Sequence, residues 1–175
     1  HSRDELRSRF GRWFNDLHLP EWMRALDPRM ASVPVLVRGE VGTGRELLAR
    51  YLNTFGGRGE GAFLHVGCRG VQTLNDLVDR FQAVGPGEPG HPTTIWLEDV
   101  DRLPAGIQRQ LRNWIEFGPL PGDLRGRTVR WMAGASDESE IDVEPGLDPR
   151  LAESLAVLGL RIPSLRERGA SLERF

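Results

Sequence analysis

The sequence predicts an α/β fold in which a parallel sheet is covered by helices on both faces. Short apolar runs alternate along the chain with segments whose apolar residues recur at helical spacing. Those runs are continuous rather than alternating, as strands buried on both faces are. The first of them leads through a glycine-rich turn straight into a helical pattern. A length of 175 residues suits one such unit with its own core.

In chain order, Leu6, Phe10, Trp13, Phe14 and Leu17 predict an amphipathic helix over residues 1–20, ending near Pro20. Val33 to Val37 reads as a buried strand. Gly39 to Gly44 comes next, and Leu47, Leu48, Tyr51, Leu52 and Phe55 then mark the apolar face of a helix closed by Gly56-Gly57. Ala62 to Val66 is the second strand, and Leu74, Leu77, Val78 and Phe81 lie on the helix after it. The breakers from Gly85 to Gly90 make a loop. Thr94 to Leu97 is the third strand, and Pro104 opens a helix carrying Ile107, Leu111, Trp114 and Ile115. Strands near Thr128 to Ala133 and Val157 to Ile162 bring the number to five.

Composition narrows the function classes. A net charge of -2 shows no basic surplus for nucleic acid, and the apolar runs fall short of the roughly 20 residues that cross a membrane. One cysteine, Cys68, allows no internal disulfide, and no signal-peptide pattern opens the chain, so the expected location is cytoplasmic. A start at His1 rather than methionine is expected of a piece excised from a longer polypeptide. His1, His18, His65 and His91 show no paired spacing with each other or with Cys68, so no zinc site is expected. The arginines between Arg102 and Arg130 form a candidate partner patch.

The segment Gly39-Glu40-Val41-Gly42-Thr43-Gly44-Arg45-Glu46 keeps the G-x-x-x-x-G spacing between a strand and a helix. A loop so placed aims backbone N–H groups and a helix N-terminus at phosphates. Arg45 stands where the loop lysine belongs, and Glu46 where Ser or Thr would hold magnesium. On spacing alone, an empty glycine-rich turn competes with a phosphate site.

Five blocks change that balance. GEVGTGRELLARYL, GAFLHVGC, TTIWLEDVDRLPAGIQRQL, VRWMAGAS and LRIPSLRER occur in that order. Together they closely resemble the central AAA+ domain of bacterial sigma-54-dependent transcription activators, over about residues 20 to 168. The resemblance implies a P-loop three-layer α/β/α sandwich with a five-stranded, mainly parallel sheet across residues 21–168, and residues 169–175 starting a lid or tail that is otherwise missing. It also implies a nucleotide site at Gly39, Glu40, Gly42, Thr43, Gly44, Arg45 and Glu46, for ATP with magnesium. Glu46 is normal for that family, which carries GESGTGKE, so the real departure in the loop is lysine to arginine.

Other matched positions depart as well. The family's strand-end Asp-Glu pair, acting on magnesium and on the attacking water, is here Glu98-Asp99, in reversed order. A solvated acidic turn competes with a metal site for these residues and for Asp101. The sensor asparagine corresponds to Ser136, a shorter group. The two trans-acting arginines correspond to Asp148 and Ser154, with Arg150 between them. The sigma-contacting GAFTGA loop has only the short Gly85 to Pro92 segment in its place.

The resemblance and its departures together imply a degenerate AAA+ domain that binds ATP and magnesium weakly, with Glu98, Asp99 and Ser136 as reduced catalytic positions. The expected role is regulation or interaction in bacterial transcription or two-component signalling. Two alternatives stay open, a working ATPase that remodels sigma-54 RNA polymerase and a nucleotide-free scaffold. Expected partners are other domains of the same polypeptide or signalling proteins, with a homo-oligomer allowed. Contact with sigma-54, nucleic acid or membrane is not expected of this domain.

Overall fold

The computed structural model describes residues 2–15, 17, 20–59 and 61–169. Five strands, β1 (Val35–Arg38), β2 (Ala62–Gly67), β3 (Thr93–Glu98), β4 (Val129–Ala135) and β5 (Leu158–Arg161), form one sheet in the order β2-β3-β4-β1-β5. Every pairing is parallel. Parallel neighbours need crossovers, and the helices supply them: α3 (Arg45–Asn53), α4 (Leu74–Val84), α5 (Ala105–Glu116) and α6 (Pro149–Leu155). This is the three-layer sandwich read from the sequence.

The period-2 geometry of each strand sorts its side chains between two cores. Leu36, Ile95, Leu97, Trp131 and Ala133 point to one face and pack with Leu77, Phe81, Leu111 and Leu151. Val35, Val37, Trp96 and Met132 point to the other and pack with Leu48, Leu52, Phe14 and Trp22. The second core is completed by two helices that precede the sheet, α1 (Arg3–Phe14) and the short α2 (Pro20–Ala25). A last short helix, α7 (Leu165–Arg168), comes after β5 behind a Ser164/Glu167 capping box. The loops after β1, β3 and β4 open at one edge of the sheet, where α/β folds bind ligands.

Two expectations differ from the structure, and one helix had no counterpart in the sequence reading. The first helix stops at Phe14 rather than near Pro20; Leu17 lies past its end yet still packs on the second core, so its spacing reported burial and not helix. Helix α6 was missed, because seven residues offer only one i, i+4 apolar pair, Leu151 and Leu155; its start is marked by Asp148, which accepts hydrogen bonds from the N–H groups of Arg150 and Leu151 ahead of Pro149 at the first helical position. Strand bounds shift by one or two residues, and Val33 and Val157 fall outside the sheet. His1, His18 and residues 170–175 lie outside the described residues. Among the described residues, no helix is long and apolar enough to cross a membrane.

Candidate functional site

The loop after β1 is shaped by its glycines and by Thr43. The Gly39 N–H donates to the Ala135 carbonyl (3.1 Å), tying the loop to the end of β4. Gly42 (φ 84°) and Gly44 (φ 93°) are left-handed, where a side chain would be strained, and nothing lies within 4 Å of where a Cβ on Gly42 would sit. The Thr43 hydroxyl and N–H both donate to the Glu40 carbonyl, at 2.6 and 3.2 Å, and close the turn. α3 starts at once with Arg45, so its N-terminal dipole faces the loop.

Arg45 spans from the first residue of that loop to the acidic end of β3. Its side chain is 5% exposed. Nη1 donates to the Gly39 carbonyl (3.2 Å), and Nη2 donates to Glu98 Oε1 (2.7 Å) and Asp99 Oδ1 (2.9 Å). The remaining two carboxylate oxygens are also taken: Trp96 Nε1 donates to Glu98 Oε2 (2.7 Å), and Arg69 Nε donates to Asp99 Oδ2 (2.6 Å). Burial alone would push the Asp99 carboxyl up, but hydrogen bonds from Arg69 and Arg45 outweigh it and hold the group below the usual carboxylate range. Asp99 sits at φ 56°, the one left-handed non-glycine residue among those described, so strained backbone aims its carboxylate between two arginines. Gly134 makes the arrangement possible, since a Cβ there would stand 2.7 Å from Cζ2 of Trp96.

Two flanking segments close over the loop. Trp13 Nε1, at the end of α1, donates to the Thr43 carbonyl (2.7 Å), and a Cβ on Gly44 would fall 2.6 Å from that nitrogen. Phe10 stacks on Tyr51 of α3 at 3.7 Å between ring centroids, which fixes α1 against the helix behind the loop. From the other end, Arg168 donates to the Trp13 carbonyl and lies over the Phe14 ring, and Arg166 pairs with Glu40.

Comparison with known proteins assigns this arrangement to a family. Residues 23–165 match the model of the sigma-54 interaction domain. The chain belongs to that family. It is 30% identical over 157 residues to the DNA-binding transcriptional regulator NtrC of Bradyrhizobium, covering 78% of this chain and 32% of that protein. It is 29% identical over 194 residues to the Nif-specific regulatory protein of Azotobacter vinelandii, covering 97% and 37%. The chain thus spans about a third of the length of these relatives. Among solved structures, NtrX from Brucella abortus in complex with ATP superposes with a TM-score of 0.61 at 17% identity, over 88% of this chain and 39% of that one. The P-loop NTPase domain of a sigma-54 transport activator from E. coli gives 0.51 at 18% identity, over 94% and 99%. These two likenesses speak for the fold.

Elsewhere in this sigma-54 interaction domain, Ser136 is buried at the end of β4. Its N–H donates to Asp101 Oδ2 (3.0 Å), so Asp101 faces the end of β4 rather than the Glu98-Asp99 pair. A cavity of about 520 Å³ opens beside it, lined by Arg38, Asp101, Ser136 and Asp137 among others. Asp148 caps α6, the Ser154 hydroxyl bonds Glu116, and Arg150 is exposed, so none of the three stands with the phosphate loop. Glu46 pairs with Arg50 at 3.1 Å. Ligand atoms of Glu46, His65 and Glu98 lie within 4.8 Å of one another, a constellation that linear spacing hid because it joins three elements.

The residues fit the two parts of Mg-ATP unequally. The open Gly42 and the α3 N-terminus suit phosphate oxygens. The Glu98-Asp99 pair does not suit magnesium, because all four of its oxygens already accept hydrogen bonds, three of them from arginine. Trp13, Arg69, Arg166 and Arg168 were not legible as site residues; the one signal in the sequence was Gly44, a glycine needed for the close approach of Trp13.

Proposed function

We propose that this sigma-54 interaction domain is a regulatory or interaction module that binds nucleotide weakly and has little or no ATP hydrolysis. The observation that carries the reading is the position of Arg45, bonded to Glu98 and Asp99 at 2.7 and 2.9 Å. A divalent cation at that pair would have to displace a nearly buried guanidinium, which is costly because it leaves one charge of a buried pair uncompensated. The group that usually reaches the phosphates is meanwhile withdrawn from them. Hydrolysis thus loses both its metal and its loop cation, and the missing trans-acting arginines are worth about 10³–10⁵ in turnover in other NTPases.

Nucleotide binding then rests on the loop backbone at Gly39, Glu40, Gly42, Thr43 and Gly44, with Arg45 and Glu46 opening α3. Glu98, Asp99 and Ser136 are left in catalytic positions without full catalytic geometry. The relatives' names, transcriptional regulator and Nif-specific regulatory protein, support a place in bacterial transcription regulation; a role in two-component signalling, with partners among the other domains of the polypeptide or signalling proteins, is part of the same proposal. The loop from Gly85 to Pro92 supports no sigma-54 contact: Thr93 Oγ1 bonds the Pro86 carbonyl at 3.0 Å, and Arg127 donates to the carbonyls of Gly87 and Glu88, so this short segment is held against the fold.

Calorimetric titration of the full-length protein with ATP, with and without magnesium, tests the reading alongside phosphate release. The expected dissociation constant is about 100 μM or weaker, and insensitive to magnesium. A low-micromolar, magnesium-dependent constant accompanied by steady turnover would overturn it.

A further inference from the structure

At the edge of the sheet opposite the phosphate loop, a group of arginines has no carboxylate partner among the described residues. Arg130, near the start of β4, is fully buried and donates only to neutral acceptors: the carbonyls of Val33 (3.1 Å) and Met30 (3.2 Å) and Asn53 Oδ1 (3.4 Å). Burial, reinforced by the nearby charge of Arg58, pushes its guanidinium down to about 10. Arg58 is half-buried, donates to the Thr93 carbonyl (3.3 Å), and is likewise lowered by burial. On α1, Arg3 and Arg7 lie over the Phe55 ring at 5.0 and 4.8 Å. Gly59 lets Arg3 cross the turn after α3, since a Cβ there would meet Arg3 Nη1 at 2.8 Å.

A cavity of about 510 Å³ opens beside two of these arginines, Arg3 and Arg58, and is lined also by Phe55, His91, Pro28 and Pro92 among others. That size falls within the range of small-molecule pockets, about 300–1,000 Å³. The acid that pairs with His91 is Glu88, at 3.9 Å and largely solvated. Two guanidiniums, Arg3 and Arg58, face this cavity with no carboxylate lining it among the described residues, which leaves a site that is stabilised when an oxyanion enters. Planar forks match phosphate oxygens in pairs. We infer that this cavity binds the phosphate groups of a phosphorylated small molecule, gripped between Arg3 of the first helix and Arg58 of the turn after α3.

The site is independent of the phosphate loop, and its test is designed to stay so. Full-length protein is titrated calorimetrically with pyrophosphate and with inorganic phosphate, in low salt and without magnesium. Pyrophosphate is expected to bind saturably and more tightly than phosphate. Arg3→Ala with Arg58→Gln should weaken it by about tenfold or more. Arg109→Ala with Arg125→Ala, which removes two exposed arginines elsewhere, should leave it within about twofold. Arg3→Ala alone, at an exposed position, should weaken binding by about threefold with unchanged unfolding temperature, so the inference stays testable if the double variant folds poorly. The inference is overturned by absence of binding, by equal loss in both double variants, or by retention in the Arg3 and Arg58 variants. It is also overturned if a short oligonucleotide binds this site more tightly than pyrophosphate.

Discussion

The two edges of the sheet handle buried charge in opposite ways. At the phosphate-loop edge, Arg45 and Arg69 meet Glu98 and Asp99, and every oxygen of the acidic pair is bonded. At the other edge, among the described residues, Arg130 and Arg58 meet carbonyl and amide oxygens, and Arg3 and Arg7 meet an aromatic ring. A cation satisfied by its counter-ion has little reason to bind anything else. A cation satisfied by neutral dipoles keeps its charge available. In this domain the edge that resembles an active site is the one whose buried charges are paired, and the opposite edge is the one whose arginines rest on neutral acceptors.

The largest effect is expected where a paired charge is stranded. Arg45→Ala leaves Asp99 with Arg69 alone and Glu98 with Trp96 alone, and should cost about 2–4 kcal/mol in urea unfolding. The freed carboxylates should then respond to millimolar magnesium with a raised midpoint that the wild type does not show. A wild type stabilised equally by magnesium would break the comparison.

A smaller loss is expected from Arg130→Met, although Arg130 is the more deeply buried of the two. The substitution gives up hydrogen bonds to Met30, Val33 and Asn53, but it also removes a desolvated charge that has no counter-ion. We expect about 1–2 kcal/mol in the same assay. A loss exceeding that of Arg45→Ala would show that neutral acceptors compensate the buried charge as fully as carboxylates do.

Acid should sharpen the contrast further. The folded carboxyl of Asp99 lies below its unfolded value of 3.8. Its stabilisation is therefore complete above that value and is lost as the pH falls through the lowered folded value. Stability measured from pH 5 down to pH 2 should fall more steeply in the wild type than in Asp99→Asn. Parallel curves would remove Asp99 from the account. The smallest change is expected from Arg166→Ala, whose partner Glu40 is met by an arginine 79% exposed; unfolding should move by no more than about 0.5 kcal/mol.

Much of the fold was legible because the signals were local. Val35 to Val37, the glycines of the loop and the apolar face of α3 lie within one stretch of chain, and each reports burial or turn chemistry directly. The contacts that those elements make at the site are not local. Arg45 bonds residues 53 and 54 positions away, and Trp13 reaches a carbonyl 30 positions away. The change from lysine to arginine in the loop was visible, but it carried limited weight: all 23 Lys/Arg positions in this chain are arginine. Only the contact of Arg45 with Glu98 and Asp99 separates an arginine that imitates lysine from one that has changed its role. The reversed Glu98-Asp99 order was legible as well, whereas the left-handed backbone that turns Asp99 toward two guanidiniums was not.

The meeting of Trp13 and Arg168 beside the phosphate loop has a mechanical side. One belongs to the stretch that leads into the sheet, the other to the stretch that leaves it; the indole of Trp13 holds the loop, and Arg168 holds the Trp13 carbonyl and the neighbouring Phe14 ring. Both stretches are therefore joined, directly or through Trp13, to the same few peptide groups around Thr43 and Gly44. The loop is thus held from both sides of the sheet's chain order, by the Trp13 indole of α1 and by Arg166 of α7 through Glu40.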